Sequence, residues 1–85
     1  MYVENLNGAK NQFIVYTRSV IYFQSYETPI AVYIKDSKKL FIKEEKYSQT
    51  TTKYTNKFIR EVGDIDEVKY VSTEEFNKMM WEIQK

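Results

Sequence analysis

The sequence predicts an α+β fold in which an antiparallel β-sheet is followed by two helices with one further strand between them. The first half of the chain is rich in β-branched and aromatic residues interrupted by turn-forming residues, which is typical of strands. The second half holds two segments, 47–63 and 72–84, with apolar residues at helical spacing. We therefore expect the order β-β-β-β-α-β-α, with both helices packed on one face of the sheet.

The first half of the chain predicts a meander. Residues 1–11 are polar and indicate a lead-in with a turn at Asn7-Gly8 rather than a strand. Strands are predicted at residues 12–17, 20–26, 30–35 and 40–43. The first two should form an antiparallel hairpin connected by Arg18-Ser19, and Pro29 ends the second of them. The third alternates, so we expect it to be half-buried with Ile30, Val32 and Ile34 on one face.

The segment 47–63 is the clearest helix because it has a start, an apolar face and a stop. Ser48 and Thr50 are candidate N-caps, since their hydroxyls can accept hydrogen bonds from free N–H groups of the first turn. Tyr54, Phe58 and Val62 recur at i, i+4 and i+8 and form one apolar stripe. Gly63 is typical of the residue that follows a helix end.

The end of the chain predicts a short strand at 67–71 and a second helix. Ser72 and Glu75 have the spacing of a capping box, which indicates a helix from Ser72 to about Gln84. The buried face of that helix should consist of Phe76, Met79, Met80 and Ile83. Trp81 lies off this stripe and is either an edge of the core or an exposed anchor for a partner.

Composition excludes several classes of function. The 85 residues correspond to one small globular domain, 1–85, and contain neither histidine nor cysteine. The usual general base and the thiolate and imidazole metal ligands are therefore absent, so we expect no enzymatic activity, no metal and no cofactor. No signal peptide or membrane-spanning run is evident, which predicts a cytoplasmic protein without a membrane partner.

Charge is distributed unevenly along the chain. Residues 35–60 contain eight basic and three acidic residues, whereas residues 61–85 contain seven acidic and three basic residues. The acidic block predicts a partner-binding surface comprising Glu61, Asp64, Asp66, Glu67 and Glu74, together with Trp81. The basic block predicts an alternative, nucleic-acid-binding surface comprising Lys35, Lys38, Lys39, Lys43, Lys53, Lys57 and Tyr33.

Several blocks occur together in an order that resembles a family of small bacteriophage-encoded proteins of uncharacterised role. They are Phe23-Gln24-Ser25-Tyr26, Pro29-Ile30-Ala31, and Tyr47-Ser48-x-Thr50-Thr51-x-Lys53-Tyr54 with Phe58 after it. The opening Asn5-Leu6-Asn7-Gly8-Ala9 and Asn11-Gln12-Phe13 has the same appearance, so the resemblance covers residues 5–60. It implies a phage origin and a host cell cytoplasm, but no catalytic residues.

Three functional hypotheses follow. The first is an accessory protein that binds and inhibits a host protein, such as a nuclease or defence complex, by analogy with anti-CRISPR inhibitors. Its acidic surface would then mimic nucleic acid. The second is a direct nucleic-acid binder that uses the lysine and tyrosine surface. The third is a module that self-associates, for example as a homodimer, through an open sheet edge or Trp81.

Overall fold

The computed structural model describes residues 2–6 and 10–83, which form a six-stranded sheet and two helices. The strands are β1 (Tyr2–Asn5), β2 (Gln12–Tyr16), β3 (Val20–Ser25), β4 (Thr28–Ile34), β5 (Lys39–Lys43) and β6 (Glu67–Val71). The helices are α1 (Gln49–Val62) and α2 (Thr73–Ile83). The strands lie side by side in chain order; β1 to β5 are antiparallel, and β6 is parallel to β5. The α+β class and the predicted order of elements are confirmed, but the sheet is mixed rather than antiparallel throughout.

Strand β1 is an element that the sequence analysis missed, because we expected a polar lead-in there. It pairs with β2 in the register Tyr2 to Tyr16. The Glu4 carboxylate accepts hydrogen bonds from the hydroxyls of Tyr16, at 2.9 Å, and Tyr2, at 3.3 Å. As an edge strand, β1 pairs with another strand on one side only, and polar side chains are common in edge strands. The predicted turn at Asn7-Gly8 lies outside the described residues.

The predicted hairpin of β2 and β3 is confirmed, although its two loop residues, Arg18 and Ser19, are not the glycine or asparagine common in tight turns. The Thr17 hydroxyl oxygen accepts a hydrogen bond from the Val20 N–H at 3.1 Å, and the Thr17 N–H donates to the Val20 carbonyl at 2.9 Å. These bonds close the turn through Arg18 and Ser19 without the positive φ angles for which glycine is selected.

The two helices lie on opposite faces of the sheet, so the prediction that both cover one face is wrong. Ala31 packs in a cluster with Phe58 of α1, whereas its neighbour Val32 packs in a second cluster with Phe76 of α2. Successive side chains of a strand point to opposite faces. The central strands are apolar at consecutive positions, so Ile30 to Tyr33 of β4 are all buried, where alternation predicted a half-buried strand. Each face of such a strand requires its own cover.

A β-bulge changes which residues of β4 face α1. Phe23 pairs with Ala31 and Gln24 pairs with Pro29, so Ile30 is an extra residue without a partner on β3. Ile30 is buried in the same cluster as Ala31, not with Val32 as the simple alternation predicted. The bulge thus directs one more aliphatic side chain under α1.

The limits of α1 agree with the predicted signals. The Ser48 hydroxyl accepts a hydrogen bond from the Thr51 N–H at 3.2 Å, and the Gly63 N–H donates to the Ile59 carbonyl at 3.2 Å. Gly63 has φ of 78°, a conformation that side-chain-bearing residues rarely adopt. At the start of α2, the Ser72 hydroxyl accepts from the Glu75 N–H at 3.1 Å. The predicted N-caps Ser48 and Ser72 are therefore confirmed, whereas the candidate Thr50 is wrong because it lies within the first turn of α1.

Phe58 joins α1 to the sheet, because its side chain is 0% exposed and its ring stacks on Phe23 at a centroid distance of 5.8 Å. We expect Phe58→Ala to lower the free energy of unfolding by about 3–5 kcal/mol through lost burial and the cavity it leaves. Urea denaturation followed by circular dichroism measures this change. The exposed neighbour Asn56 provides the control: Asn56→Ala should change stability by less than about 0.5 kcal/mol. Equal effects of the two substitutions would contradict this packing.

Candidate binding surfaces

The predicted basic and acidic surfaces meet at one edge of the molecule. Lys38 and Asp64 form an ion pair at 2.9 Å, and Lys39 and Glu67 form another at 3.7 Å. Lys39 and Glu67 are register partners of the parallel strands β5 and β6. The hydrogen bond to Asp64, together with its negative charge, raises the pKa of Lys38 above its ordinary value. Four residues assigned to two separate surfaces therefore form one edge of mixed charge.

Tyr33 is a buried structural residue rather than a stacking platform. Its side chain is 7% exposed, and its hydroxyl donates a hydrogen bond to the Asp64 carbonyl at 2.6 Å. This bond fixes the loop that follows α1 against the core. A nucleic-acid base cannot stack on a ring enclosed in this way, so the assignment of Tyr33 to a nucleic-acid-binding surface is wrong.

Lys43 is also unavailable for phosphate contacts. Its side chain is 6% exposed, and its ammonium lies 3.4 Å from a Glu45 carboxylate oxygen and 5.9 Å from the centre of the Phe76 ring. A lysine is rarely buried unless its charge is paired. Lys43 therefore serves the packing of α2 on the sheet, and the sequence gives no local sign of this because Phe76 is distant along the chain.

The remaining predicted lysines lie at two separate places. The ammonium groups of Lys53 and Lys57 lie 5.7 Å and 5.4 Å from the centre of the Tyr54 ring on α1. The Lys35 ammonium instead donates to the Thr17 carbonyl at 2.7 Å, beside the turn between β2 and β3. The seven residues predicted to bind nucleic acid are thus not brought together into one patch.

The predicted acidic set is also divided. Glu61 ends α1 on one side of the sheet, whereas Glu74 and Trp81 belong to α2 on the other. All three are exposed, Trp81 to 66%. Asp66 is exposed beside β6, and its N–H donates to the Lys38 carbonyl at 2.8 Å. The acidic residues therefore do not form one continuous surface.

Within residues 2–6 and 10–83, no group of three or more acidic side chains is placed to hold a metal ion. Neither α1 nor α2 has the length and apolar character needed to span a bilayer.

One apolar part of the sheet is left without a helix over it, and the sequence analysis did not identify it. We call it the open face; it consists of Val3, Phe13, Val15, Tyr22 and Gln24, which line a concavity of about 310 Å³. Val3, Val15 and Tyr22 are register partners across β1, β2 and β3, on the side of the sheet that carries α2. Val3 is 49% exposed, Phe13, Tyr22 and Gln24 are half-buried, and Val15 is 4% exposed. None of the five residues is charged.

The open face arises from the dimensions of the elements. Six strands span about 24 Å from the first to the last, whereas one helix covers a width of about 10 Å. Helix α2 packs against β5 and buries Val32 and Val71 on its side of the sheet. The strands farthest from it are β1 and β2, and there Val3 of β1 is 49% exposed. The sequence alone does not reveal this surface, because it depends on the number of strands and on the placement of the two helices on opposite faces.

A second concavity, which we call the β6 groove, lies between α1 and the strands β5 and β6. Its volume is about 230 Å³. Its lining includes Ile42, Tyr47, Thr55, Ile59 and Tyr70. The Tyr47 hydroxyl donates to the Lys43 carbonyl at 3.1 Å, and burial raises the pKa of Tyr47 well above its ordinary value. Tyr70 is 66% exposed at the outer wall, so the groove is open along the edge of the sheet.

This arrangement defines a small α+β domain with a mixed six-stranded sheet, one helix on each face, and apolar side chains left accessible on one face and at the β6 edge. The chain belongs to a family of unknown function, DUF8033, whose sequence profile matches residues 1–78. The match includes every strand and the first part of α2. No curated protein and no solved structure matches the chain.

Strand β1, which contributes Val3 to the open face, is held to β2 by the Glu4 carboxylate on the opposite side of the sheet. Burial, followed by the hydrogen bond to Glu4 and its negative charge, raises the pKa of Tyr16 from 10.0 to about 12. The native state therefore retains the Tyr16 proton at pH values where the unfolded chain has lost it.

We expect a pH-dependent contribution to stability from Tyr16. Because its pKa is raised on folding, this contribution is complete below pH 10.0 and is lost as the pH rises towards about 12. Urea denaturation at intervals between pH 9 and pH 12 should show a smaller decline in stability for Tyr16→Phe than for the wild type. Tyr70→Phe, which alters an exposed tyrosine, should follow the wild-type profile. Identical profiles for all three proteins would exclude the Tyr16 to Glu4 interaction.

Proposed function

We propose that the protein is a non-catalytic binding module that docks onto another protein through the open face. The observation that carries the proposal is the uncharged, largely apolar concavity on β1, β2 and β3, where Val3 is exposed and Phe13 and Tyr22 are half-buried. Contiguous exposed apolar surface on a small domain is typical of interaction sites, since its burial is favourable and its exposure promotes association. A largely apolar protein surface is the complementary partner.

The charges of the molecule also favour a protein partner over nucleic acid. Nucleic-acid binding requires cations that are free to approach phosphates. Lys38 and Lys39 are paired with acidic residues, and Lys43 is buried. The open face contains no cation among its five residues. The polar amide of Gln24 and the hydroxyl of Tyr22 would supply hydrogen bonds at the margin of an apolar contact.

The proposed partner is a host protein, and the proposed effect of binding is inhibition. The resemblance of residues 5–60 to small bacteriophage-encoded proteins supports a host protein as the partner and inhibition of that protein as the effect. Nucleic-acid mimicry receives no such support, since Asp64 and Glu67 are paired with lysines. Inhibition in this proposal therefore follows from covering an apolar site on the partner.

Comparative photo-crosslinking tests the proposal. A photoreactive amino acid at Gln24, a half-buried position of the open face, should crosslink to specific host proteins in lysate. Adding the substitution Val3→Lys should remove those crosslinks, because it places a charge in the middle of an apolar contact. The fold should be retained, since Val3 is already 49% exposed in the free protein. Mass spectrometry of the crosslinked bands identifies the partner.

The matched control is Trp81→Lys, which places a lysine at an exposed apolar position on α2. It should leave the crosslinks unchanged, and their loss would move the binding site from the open face to α2. Crosslinks that survive Val3→Lys would contradict the proposal. Tight oligonucleotide binding that weakens steeply between about 50 mM and about 200 mM salt, measured by fluorescence anisotropy, would contradict it in favour of nucleic acid.

A further inference from the structure

We propose that two copies of the chain associate by antiparallel pairing of their β6 strands, Glu67 to Val71. This inference goes beyond the proposed function, because β6 lies at the edge of the sheet opposite β1, where the open face begins. The four residues of β6 from Glu67 to Tyr70 are all exposed. Among the described strands, β6 is the last in the sheet, so one of its edges has no strand beside it.

The direction of the β6 backbone groups shows which residues are free to pair. The Val71 carbonyl accepts a hydrogen bond from the Glu44 N–H at 2.6 Å, so the backbone groups of Val71 point towards β5. Backbone groups of successive strand residues point in opposite directions. The N–H and C=O groups of Val68 and Tyr70 therefore point outwards, where a second strand would lie.

The charges of β6 are complementary to those of a second, antiparallel copy. A two-fold axis at Val68 places Val68 opposite Val68 of the second copy, and their outward backbone groups form two hydrogen bonds. The same axis places Glu67 opposite Lys69 of the second copy, and Lys69 opposite its Glu67. Both carboxylate and ammonium pairs are attractive, and opposite charges at facing positions stabilise strand pairing.

The neighbouring register is electrostatically unfavourable. An axis at Lys69 would place the lysines of the two copies directly opposite each other, at a facing position where like charges destabilise pairing. Of these two registers, the charges of the strand favour the axis at Val68.

On the α1 side of the sheet, the apolar side chains of β6 would also meet in this register. Val68 is 44% exposed and Tyr70 is 66% exposed, and their register partners on β5 are Leu40 and Ile42 beneath α1. In the dimer the two Val68 side chains meet, and each Tyr70 ring reaches the Val68 of the other copy diagonally. Tyr70 also forms the outer wall of the β6 groove, so the second copy would close the groove at its open side.

Charge reversal at β6 tests this pairing. Sedimentation equilibrium should give an apparent mass that rises with concentration from 10.3 kDa towards twice that value. Lys69→Glu converts two attractive pairs into two repulsive pairs, so the dimer dissociation constant should rise about tenfold or more. Glu67→Lys should have the same effect. An equimolar mixture of the two variants should associate again, because every facing pair is then attractive.

Further variants make the outcome decisive. Arg18→Glu changes the net charge by the same amount in the turn between β2 and β3 and should leave the dissociation constant unchanged. Lys69→Thr should weaken dimerisation with the axis at Val68; stronger dimerisation would place the axis at Lys69 and overturn the register. Circular dichroism establishes that each variant is folded. If Glu67→Lys does not fold because it places a second cation beside Lys39, the variants Lys69→Glu and Lys69→Thr still test the pairing.

Three results would overturn the proposal. One is a wild-type protein that stays at 10.3 kDa up to millimolar concentration. Another is dimerisation that responds equally to Lys69→Glu and Arg18→Glu, which would indicate a general effect of net charge. The third is dimerisation that is abolished by Val3→Lys and unaffected at β6, which would assign self-association to the open face and exclude the β6 edge.

Discussion

The burial of both faces of the central strands is the constraint on which the rest of the structure depends. Ala31 and Val32 are consecutive residues of β4, each is 0% exposed, and they point to opposite sides of the sheet. A strand of this kind is stable only between two covering layers. Helix α1 supplies one layer through Phe58, and α2 supplies the other through Phe76.

The connection between strands follows from the same requirement. Two parallel neighbouring strands need a crossover, and α1 is the crossover from β5 to β6. Parallel pairing of β5 and β6 then brings Lys39 beside Glu67, and the loop before β6 brings Asp64 beside Lys38. Charges that are segregated along the chain are thus brought together by the topology. Apolar side chains also stay exposed, at Val3 of the open face and at Val68 and Tyr70 of β6.

The sequence was sufficient where the signals are local. Ser48 and Ser72 begin helices, and Gly63 ends one, through hydrogen bonds to residues three or four positions away. Hydrophobic spacing predicted which faces of the helices are buried. Strand β1 was missed because its stabilising contact, from Tyr16 to Glu4, spans twelve residues. The placement of the helices on the two faces and the ion pairs of Lys38 and Lys39 depend on β5 pairing with β6, which no local pattern specifies. The candidate surfaces could be located only after the sheet was known.

The late position of β6 and α2 in the chain also has a consequence for synthesis on the ribosome. The five strands from β1 to β5 are contiguous in the chain and can pair as they emerge, because their contacts are between neighbours. Their second face, however, takes its cover from Val71, Phe76 and Met80. Until those residues leave the exit tunnel, Val20 and Val32 lack this cover. Exposed apolar surface of this kind promotes aggregation of partly folded chains, and the packing of α2 removes it.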